Sequence, residues 1–514
     1  MKAGIFSIAT GLLPRVAAVP APSVEARDKA AIASVTIASG TIIGTAGEAV
    51  ETFNGIPYAD PPVGDLRFRP PVKLSRTLAH CLTINVQRPK GVEAGAGLPV
   101  LFWIFGGGFL AGSTAGYNAT QLIETGLLHN QPFIFVAVNY RVAAWGFMPG
   151  KEILAEDSGN AGLLDQRMGL EWVADNIEAF GGDPGKVTIW GESAGAISVF
   201  DQLVLFDGDA SYKGNALFRG AIMNSGSATP TDPLDSDKAQ AIYDTVAASA
   251  NCTGTDSLSC LRDLDNDVFT VAANSVPGII SYSSLALSYL PRPDGRVLAD
   301  SPDALQRACK FHQVPMIIGT QEDEGTLFSL RQRNMSTTEK IVEYLSAYYF
   351  HNADEAQITE FVKTYSSDPR DGSPYRTGYL FEGYPGKKRI ASILGDIVFN
   401  LIRRISLQTF ASVAPTASTW SYFSSYKYNP LLGLFGTYHG SDIGYPTISG
   451  RTYYLNFLHN LDPNNGSEVD VFWPQWKQGK KLLHFNANSN GLLDDTYRNA
   501  SYTFLLNNIE DLRF

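Results

Sequence analysis

FGGDPGKVTIWGESAG, residues 180–195, decides the reading of the chain. Its middle, residues 187–190, is a short apolar and β-branched run, the pattern of a buried strand. Gly191-Glu192-Ser193-Ala194-Gly195 follows at once and fits G-x-S-x-G, and residues 196–205 continue with helix-compatible spacing. Strand, tight turn and helix form the context in which this motif presents a nucleophilic serine. The turn forces its serine into a strained backbone conformation. Side chains at 191 and 195 would collide with the neighbouring strand and helix, so both positions are glycine. The Ser193 hydroxyl is thereby pushed clear of the sheet, at the positive end of a helix.

Working outward, residues 100–105 (VLFWIF) read as an inner strand buried on both faces, and Gly106-Gly107-Gly108 follows directly. Three glycines leave the backbone uncovered, so N–H groups can approach a ligand. Beside a serine elbow such a turn is the expected half of an oxyanion hole, where each donor stabilises a transition state by roughly 3–4 kcal/mol. Further strands are expected at 82–86, 133–138, 220–223, 314–318 and 419–423, with a hairpin over 34–43 turning at Ser39-Gly40. An amphipathic helix is expected over 163–180, with Leu163, Leu164, Met168, Trp172, Val173 and Ile177 on its inner side. Strands alternating with helices mean an α/β fold with a mainly parallel sheet.

The strand at 314–318 runs into Gly319-Thr320-Gln321-Glu322-Asp323-Glu324-Gly325. An acid at the end of a strand after the elbow is where the third member of a serine triad belongs, and the pattern leaves Glu322, Asp323 and Glu324 open. The order serine, acid, histidine then requires His351, His439, His459 or His484. His351 and His459 have helix-like, aromatic surroundings, and His484 lies in the apolar run 482–485. His439, in the glycine-rich segment 435–442, reads as lying on a mobile, exposed loop at the edge of the sheet, as a general base requires, and is favoured. Ser225, just past the strand at 220–223, is either a neighbour of the site or a plain turn serine. Phe109, Leu431, Leu432, Leu434 and Phe435 are candidates for an acyl pocket or for ordinary core.

With 514 residues, 44% hydrophobic and 18% charged, the composition is globular, and no linker or repeat divides it. The net charge of −11 argues against nucleic acid and against electrostatic binding to anionic membranes. Residues 1–21 resemble a secretory signal, with Lys2, an apolar stretch at 3–13, and small residues at Val16-Ala17-Ala18 or Val19-Pro20-Ala21. Residues 22–514 are then a single domain, expected outside the cell, and no later apolar run is long enough to span a membrane. Sequons at Asn118, Asn251, Asn334, Asn465 and Asn499 lean the same way. Cys252 and Cys260 flank a short polar loop and are the natural disulfide pair, which would contribute about 2–3 kcal/mol. Cys309 reads as a buried free thiol, and Cys81 has no obvious partner.

The whole stretch 180–195, and not only its five-residue core, resembles the serine-site signature of the type-B carboxylesterase/lipase family. Blocks at 55–68, 103–109, 138–147, 160–182, 223–227, 290–295, 319–328, 372–378, 389–399 and 436–443 agree, and the likeness is greatest to secreted lipases and sterol esterases of yeasts and moulds. The resemblance implies an α/β-hydrolase fold, a large central, mostly parallel sheet with helices on both faces. It implies Ser193 as nucleophile, Glu324 as the acid, His439 as the base, and Gly107, Gly108 and Ala194 as oxyanion donors. It supports the Cys252–Cys260 bridge. It implies hydrolysis of small-molecule ester or lipid substrates through an acyl-enzyme, with no metal or cofactor required, and at most transient contact with a lipid interface.

One departure stands out. In the family a cysteine-closed flap lies between the block matching Leu66-Arg67-Phe68 and the block matching Cys81-Leu82. Here only residues 69–80 separate them, so the flap is expected to be missing, together with the partner of Cys81 and the acidic pair that answers Arg67. A lidless enzyme with an open site and an impaired or non-catalytic relative are the two readings of that gap. The same serine site could also attack amides or lactones.

Overall fold

Runs of β-branched and aromatic residues build the centre of the protein, a computed structural model that describes residues 31–75, 81–426, 433–442 and 448–514. The signal-like residues 1–21, the end of the short connection at 76–80, and the pocket candidates Leu431 and Leu432 lie outside the described residues. Twelve strands form one sheet among the described residues. They are β1 (Ala31–Ile37), β2 (Gly40–Ala46), β3 (Val50–Pro57), β4 (Thr83–Pro89), β5 (Leu98–Ile104), β6 (Ile134–Val138), β7 (Gly182–Glu192), β10 (Gly220–Asn224), β11 (Met316–Gln321), β12 (Thr419–Ser424), β13 (Lys481–Phe485) and β14 (Gly491–Asp494). A separate hairpin pairs β8 (Ser211–Tyr212) with β9 (Asn215–Ala216).

The sheet order is β1-β2-β3-β4-β6-β5-β7-β10-β11-β12-β13-β14. From β6 to β13 every neighbour is parallel, and the β1–β4 side and β14 pair antiparallel. Every residue of β6, β10, β11 and β12 is buried. Successive side chains of a strand point to opposite faces, so such burial means that both faces of the sheet are covered. This is the fold that the alternation of strands and helices implied. The parallel block sends the segments after β5, β7, β10, β11 and β12 to the same edge, because parallel neighbours end on one side of a sheet.

Local differences have local causes. The expected helix over 163–180 is α1 (Ala161–Asn176), entered through a left-handed Asn160 at φ 54. Its last turn tightens into a 3-10 segment, Ile177–Phe180, which Gly181 ends at φ 91. Leu163, Trp172, Val173 and Ile177 are buried as expected, whereas Leu164 and Met168 are only half-buried. The expected turn at Ser39-Gly40 lies one residue earlier, with Ile37 paired to Gly40. His439 does not follow an edge strand, since β13 and β14 lie beyond β12.

Cys252 and Cys260 form the disulfide, with Cα atoms 5.5 Å apart. Cys309 is exposed, contrary to the expectation of a buried thiol. It sits just past the end of the helix Pro302–Arg307, at a left-handed φ of 57. Cys81 is also exposed. No helix among the described residues is long and apolar enough to cross a membrane.

The helices that carry the remainder of this architecture are α2 (Ala194–Val204), α3 (Lys387–Gly395) and α4 (Leu401–Val413), with a π-helical turn, Asp396–Asn400, joining α3 to α4. Arg403 and Arg404 at the start of α4 are both buried and both reach Asp495, which follows β14. Arg403 donates to the two Asp495 oxygens at 2.7 and 2.8 Å, Arg404 Nε donates at 2.7 Å, and the Trp476 indole N–H donates at 2.9 Å. Removing the shared acid leaves two buried guanidinium groups uncompensated, at a cost of about 3–5 kcal/mol. Asp495→Ala is therefore expected to lower the calorimetric unfolding temperature by several degrees. Asp494→Ala, which removes an exposed ion pair with Lys481, is expected to leave it within about a degree.

Candidate active site

The turn after β7 is as tight as its glycines imply. Ser193 sits at φ 56, ψ −128, between the strand and the first turn of α2. A Cβ on Gly191 would lie 2.2 Å from the Gly195 carbonyl oxygen, and one on Gly195 would lie 2.1 Å from the Ile104 oxygen. Only hydrogen fits at either place. Ser193 N–H donates to the Asn224 oxygen of β10 at 2.9 Å, and the Ser193 carbonyl accepts from the N–H groups of Ala196 and Ile197. The serine is thus held from both sides while its hydroxyl stands at the start of a helix.

Three segments arriving from different strands meet at that hydroxyl. His439 Nε2 lies 2.7 Å from Ser193 Oγ, and His439 Nδ1 lies 2.6 Å from Glu324 Oε2. The second carboxylate oxygen, Oε1, accepts from Ser225 Oγ at 2.6 Å and from the Gln321 N–H at 2.7 Å. With Nδ1–H donated to Glu324, Nε2 is left to accept the serine proton. An arrangement of this kind can raise the nucleophilicity of a hydroxyl and stabilise the imidazolium that results.

The three adjacent acids separate cleanly. Glu322 pairs with Arg376. Asp323 accepts from Ser373 Oγ at 2.8 Å, from Tyr375 N–H at 2.9 Å and from Thr437 N–H at 2.9 Å. Only Glu324 reaches His439. The other histidines stand elsewhere: His459 lies in the helix Ile448–Asn460, His351 in a bend past the helix Thr338–Tyr348, and His484 in β13, bonded to Ser425. His439 is buried rather than exposed, because Phe399 and Phe328 pack on its ring at centroid distances of 4.5 and 5.1 Å. Phe399 belongs to the π-helical turn, where one extra residue in the helix re-aims its side chains, and Thr320 of β11 ties that turn down through Asn400 at 2.7 Å.

Burial alone would lower the basicity of His439. The charge and hydrogen bond of Glu324, with the fields of Glu192 and Asp442, outweigh it and raise the pKa to about 9. Glu192, immediately before the serine, lies 3.5 Å from His439 Nε2, and burial pushes its carboxyl up to about 8 against the pull of His439. Ser225, which the sequence left open as a neighbour of the site or a plain turn serine, is a neighbour, bonded to Glu324. Nothing in the sequence pattern distinguishes Glu192 as a partner of this site; it is brought there by strand register, which sets Asn224 of β10 against Glu192 of β7.

The glycine turn after β5 packs directly on the elbow. A Cβ on Gly106 would lie 2.6 Å from the Glu192 oxygen and 2.9 Å from Ser193 Cβ. Gly107 and Gly108 have φ of 107 and 62, and a Cβ on Gly107 would lie 2.0 Å from the Ala111 oxygen. Gly108, Ser193 and Ala194 line one apolar pocket, walled by Phe109, Ile197, Leu285, Leu290, Val398 and Phe399 among others. Of the other pocket candidates, Leu434 is exposed and Phe435 packs against Tyr438.

Comparison with known proteins places these features in context. The model of the Carboxylesterase family matches residues 31–79 and 72–505, two pieces that overlap at 72–79 in the short connection after Arg69. The chain is 53% identical to Secreted triacylglycerol lipase LIP1 of Gibberella zeae, over 95% of this chain and 92% of that protein. It is 48% identical to Secreted lipase 1 of Botryotinia fuckeliana, over 95% of each. The first alignment runs over 544 positions but takes in about 488 residues of this chain, 95% of 514, so about 55 of its positions are gaps here. The crystal structure of Aspergillus niger EstA superposes with a TM-score of 0.79 at 26% identity, covering 93% of this chain and 99% of that one.

The balance at His439 is open to direct measurement. By NMR its imidazole is expected to titrate well above the ordinary value of about 6.5. Glu324→Gln removes the anion and leaves burial dominant, so the midpoint is expected to fall below that of the unmodified protein by more than one pH unit. An unchanged midpoint would mean that another group sets the basicity of this ring.

Proposed function

The chain belongs to the carboxylesterase family, and from that premise we propose that it is an extracellular hydrolase of carboxylic esters acting on lipids whose acyl chain fits an apolar pocket. The observation that carries this reading is the unbroken line of hydrogen bonds from Ser193 through His439 to Glu324, beside that pocket. The names of the Gibberella zeae and Botryotinia fuckeliana relatives, both secreted lipases, support the substrate class and the location. The disulfide and the exposure of all five sequon asparagines fit an extracellular protein.

In this reading His439 Nε2 takes the proton of Ser193 as Oγ attacks the ester carbonyl carbon. The N–H groups of Gly107, Gly108 and Ala194 receive the negative oxygen that forms. The tetrahedral adduct expels the alcohol, which leaves with the proton held by His439. Water repeats the sequence on the acyl-enzyme: His439 takes its proton, the acyl–Oγ bond breaks, and the carboxylic acid departs as Ser193 is reprotonated. Glu324 keeps the ring oriented and stabilises its charged form throughout. The gaps in the relatives' alignment and the break in the family match support a further element of the reading, that a covering segment found in relatives is missing between Arg69 and His80.

The test is hydrolysis of p-nitrophenyl esters from acetate to palmitate by purified protein. Ser193→Ala is expected to lower kcat on the order of 10⁵–10⁶-fold. The base must be neutral to accept the serine proton, and its raised pKa means that the neutral fraction grows as pH rises. Accordingly kcat/KM is expected to climb through the neutral range toward a midpoint of about 9, and Glu324→Gln to shift that limb to lower pH while lowering the plateau on the order of 10⁴-fold. A folded protein with no Ser193-dependent rate on any ester would sink the reading.

A further inference from the structure

One face of α2 forms a wall of the apolar pocket. Ser193, Ile197 and Asp201, at spacings of one helical turn, line it together with Ala194. Asp201 is wholly buried, and neither of its carboxyl oxygens has a hydrogen-bond partner. Thr231, which lines the same pocket, is buried with its hydroxyl oxygen equally unpartnered. An acid that makes no bond within the fold gives it nothing that a leucine would not, and its burial is costly. Two unpartnered polar side chains in one cavity mark a place where a polar group of a ligand can be received.

We propose that Asp201 and Thr231 form a polar foot to the acyl pocket, selecting esters whose acyl chain carries a hydroxyl group far from the ester carbonyl. The proposal rests on the reading of Ser193 as the nucleophile and adds to it the chemistry of the far end of the acyl chain. Burial pushes the Asp201 carboxyl well above the usual carboxylate range and so favours its neutral form, which has one O–H donor and one C=O acceptor. A hydroxyl, itself donor and acceptor, is its complement, whereas a cation would find no fixed negative charge. Asp201 lies eight residues after Ser193, about 12 Å along the helix axis at 1.5 Å per residue. An extended chain advances roughly 1.2 Å per bond. A hydroxyl about ten bonds from the carbonyl carbon therefore reaches the foot.

The experiment compares kcat/KM for p-nitrophenyl decanoate and p-nitrophenyl 10-hydroxydecanoate in the unmodified protein, Asp201→Asn and Asp201→Leu. The ratio of hydroxylated to plain ester is expected to fall about 10-fold or more in Asp201→Leu, the size of one buried hydrogen bond, and to be largely kept by Asp201→Asn, which retains a donor and an acceptor. Asp201→Leu is expected to unfold at the same temperature or higher. An unchanged ratio, with both esters cleaved in a Ser193-dependent way, would mean that the foot holds a resident water only and would overturn the proposal while leaving the nucleophile in place. A lower unfolding temperature with an unchanged ratio would mean a structural role and would overturn it equally. Binding is read separately, without turnover, as the thermal shift that 10-hydroxydecanoate and decanoate give in the Ser193→Ala background. The hydroxylated acid is expected to give the larger shift, and adding Asp201→Leu to abolish the difference. That readout stands even if no ester is cleaved, so failure of the nucleophile and failure of the foot are told apart.

Discussion

The contact between Gly191 and Gly195 is the constraint on which the site depends. A strand that must turn into a helix within one residue places Ser193 in a backbone region that costs an ordinary residue about 1–3 kcal/mol. The surroundings over-determine it. Gly195 lies against the Ile104 carbonyl of β5, Gly226 against the Ser193 carbonyl, and the Ser193 N–H is fixed to β10. Neighbours on both sides of β7 therefore hold the strain, and only glycine is small enough at the contact points. Because α2 starts from this turn, the same constraint sets the direction of the helix and so which of its residues, Ile197 and Asp201 among them, face the pocket.

A second constraint closes the site from the other side. Asp323 is buried, and its carboxylate accepts from Ser373, Tyr375 and Thr437, so one side chain laces the acid segment to the segment carrying His439 and to the turn at 373–375. The lacing continues in the backbone, where Asp323 N–H donates to the Thr437 oxygen at 2.9 Å, and Thr326 Oγ donates to the Phe435 oxygen at 2.8 Å. The histidine stands some fifteen residues beyond the end of β12 and would otherwise be poorly placed. Its ring is set instead by a neighbour of the acid that it faces. Placement of His439 and of Glu324 is thus one event rather than two.

What was legible in the sequence follows from whether the signal is local. The strand-turn-helix at Ser193 and the glycine turn after β5 are written in contiguous residues, and both are built as read. The division of labour among Glu322, Asp323 and Glu324 is not local. The three differ only in what lies opposite them, which is Arg376, the 373–437 contacts and His439, from segments fifty or more residues away. Family likeness separated them where pattern could not. The sequence favours His439 for its glycine-rich surroundings and by elimination, yet the exposed loop expected for it is a buried one, since Phe328 and Phe399 arrive from distant segments. Cys309 is exposed where the sequence implies burial, because an apolar neighbourhood in sequence says nothing of the left-handed turn in which the residue sits. Asp201 carried no signal at all, as an acid within an apolar helix reads simply as a polar position.

Arg67 bears on whether the short connection after Arg69 is compatible with a sound fold. The family likeness implied an acidic pair as its answer, and that pair is not present in the sequence. The guanidinium is nonetheless not stranded. It donates to the carbonyl oxygens of Leu261 and Leu264 at 2.9 and 2.8 Å and lies 5.2 Å from the ring centroid of Phe269. Those carbonyls belong to the last turn of the helix Ser257–Asp263 and its cap, the negative end of a helix, where a cation is favoured. Burial lowers the pKa of Arg67, and Asp265 and Asp263 act against that. Arg262 of the same helix donates to the Arg67 oxygen at 3.2 Å and pairs with Glu156, and the Cys252–Cys260 bridge anchors the helix itself. A disulfide-held helix end thus supplies the negative potential that the carboxylates would have given, and a buried arginine can persist without them because aligned carbonyl dipoles satisfy its donors.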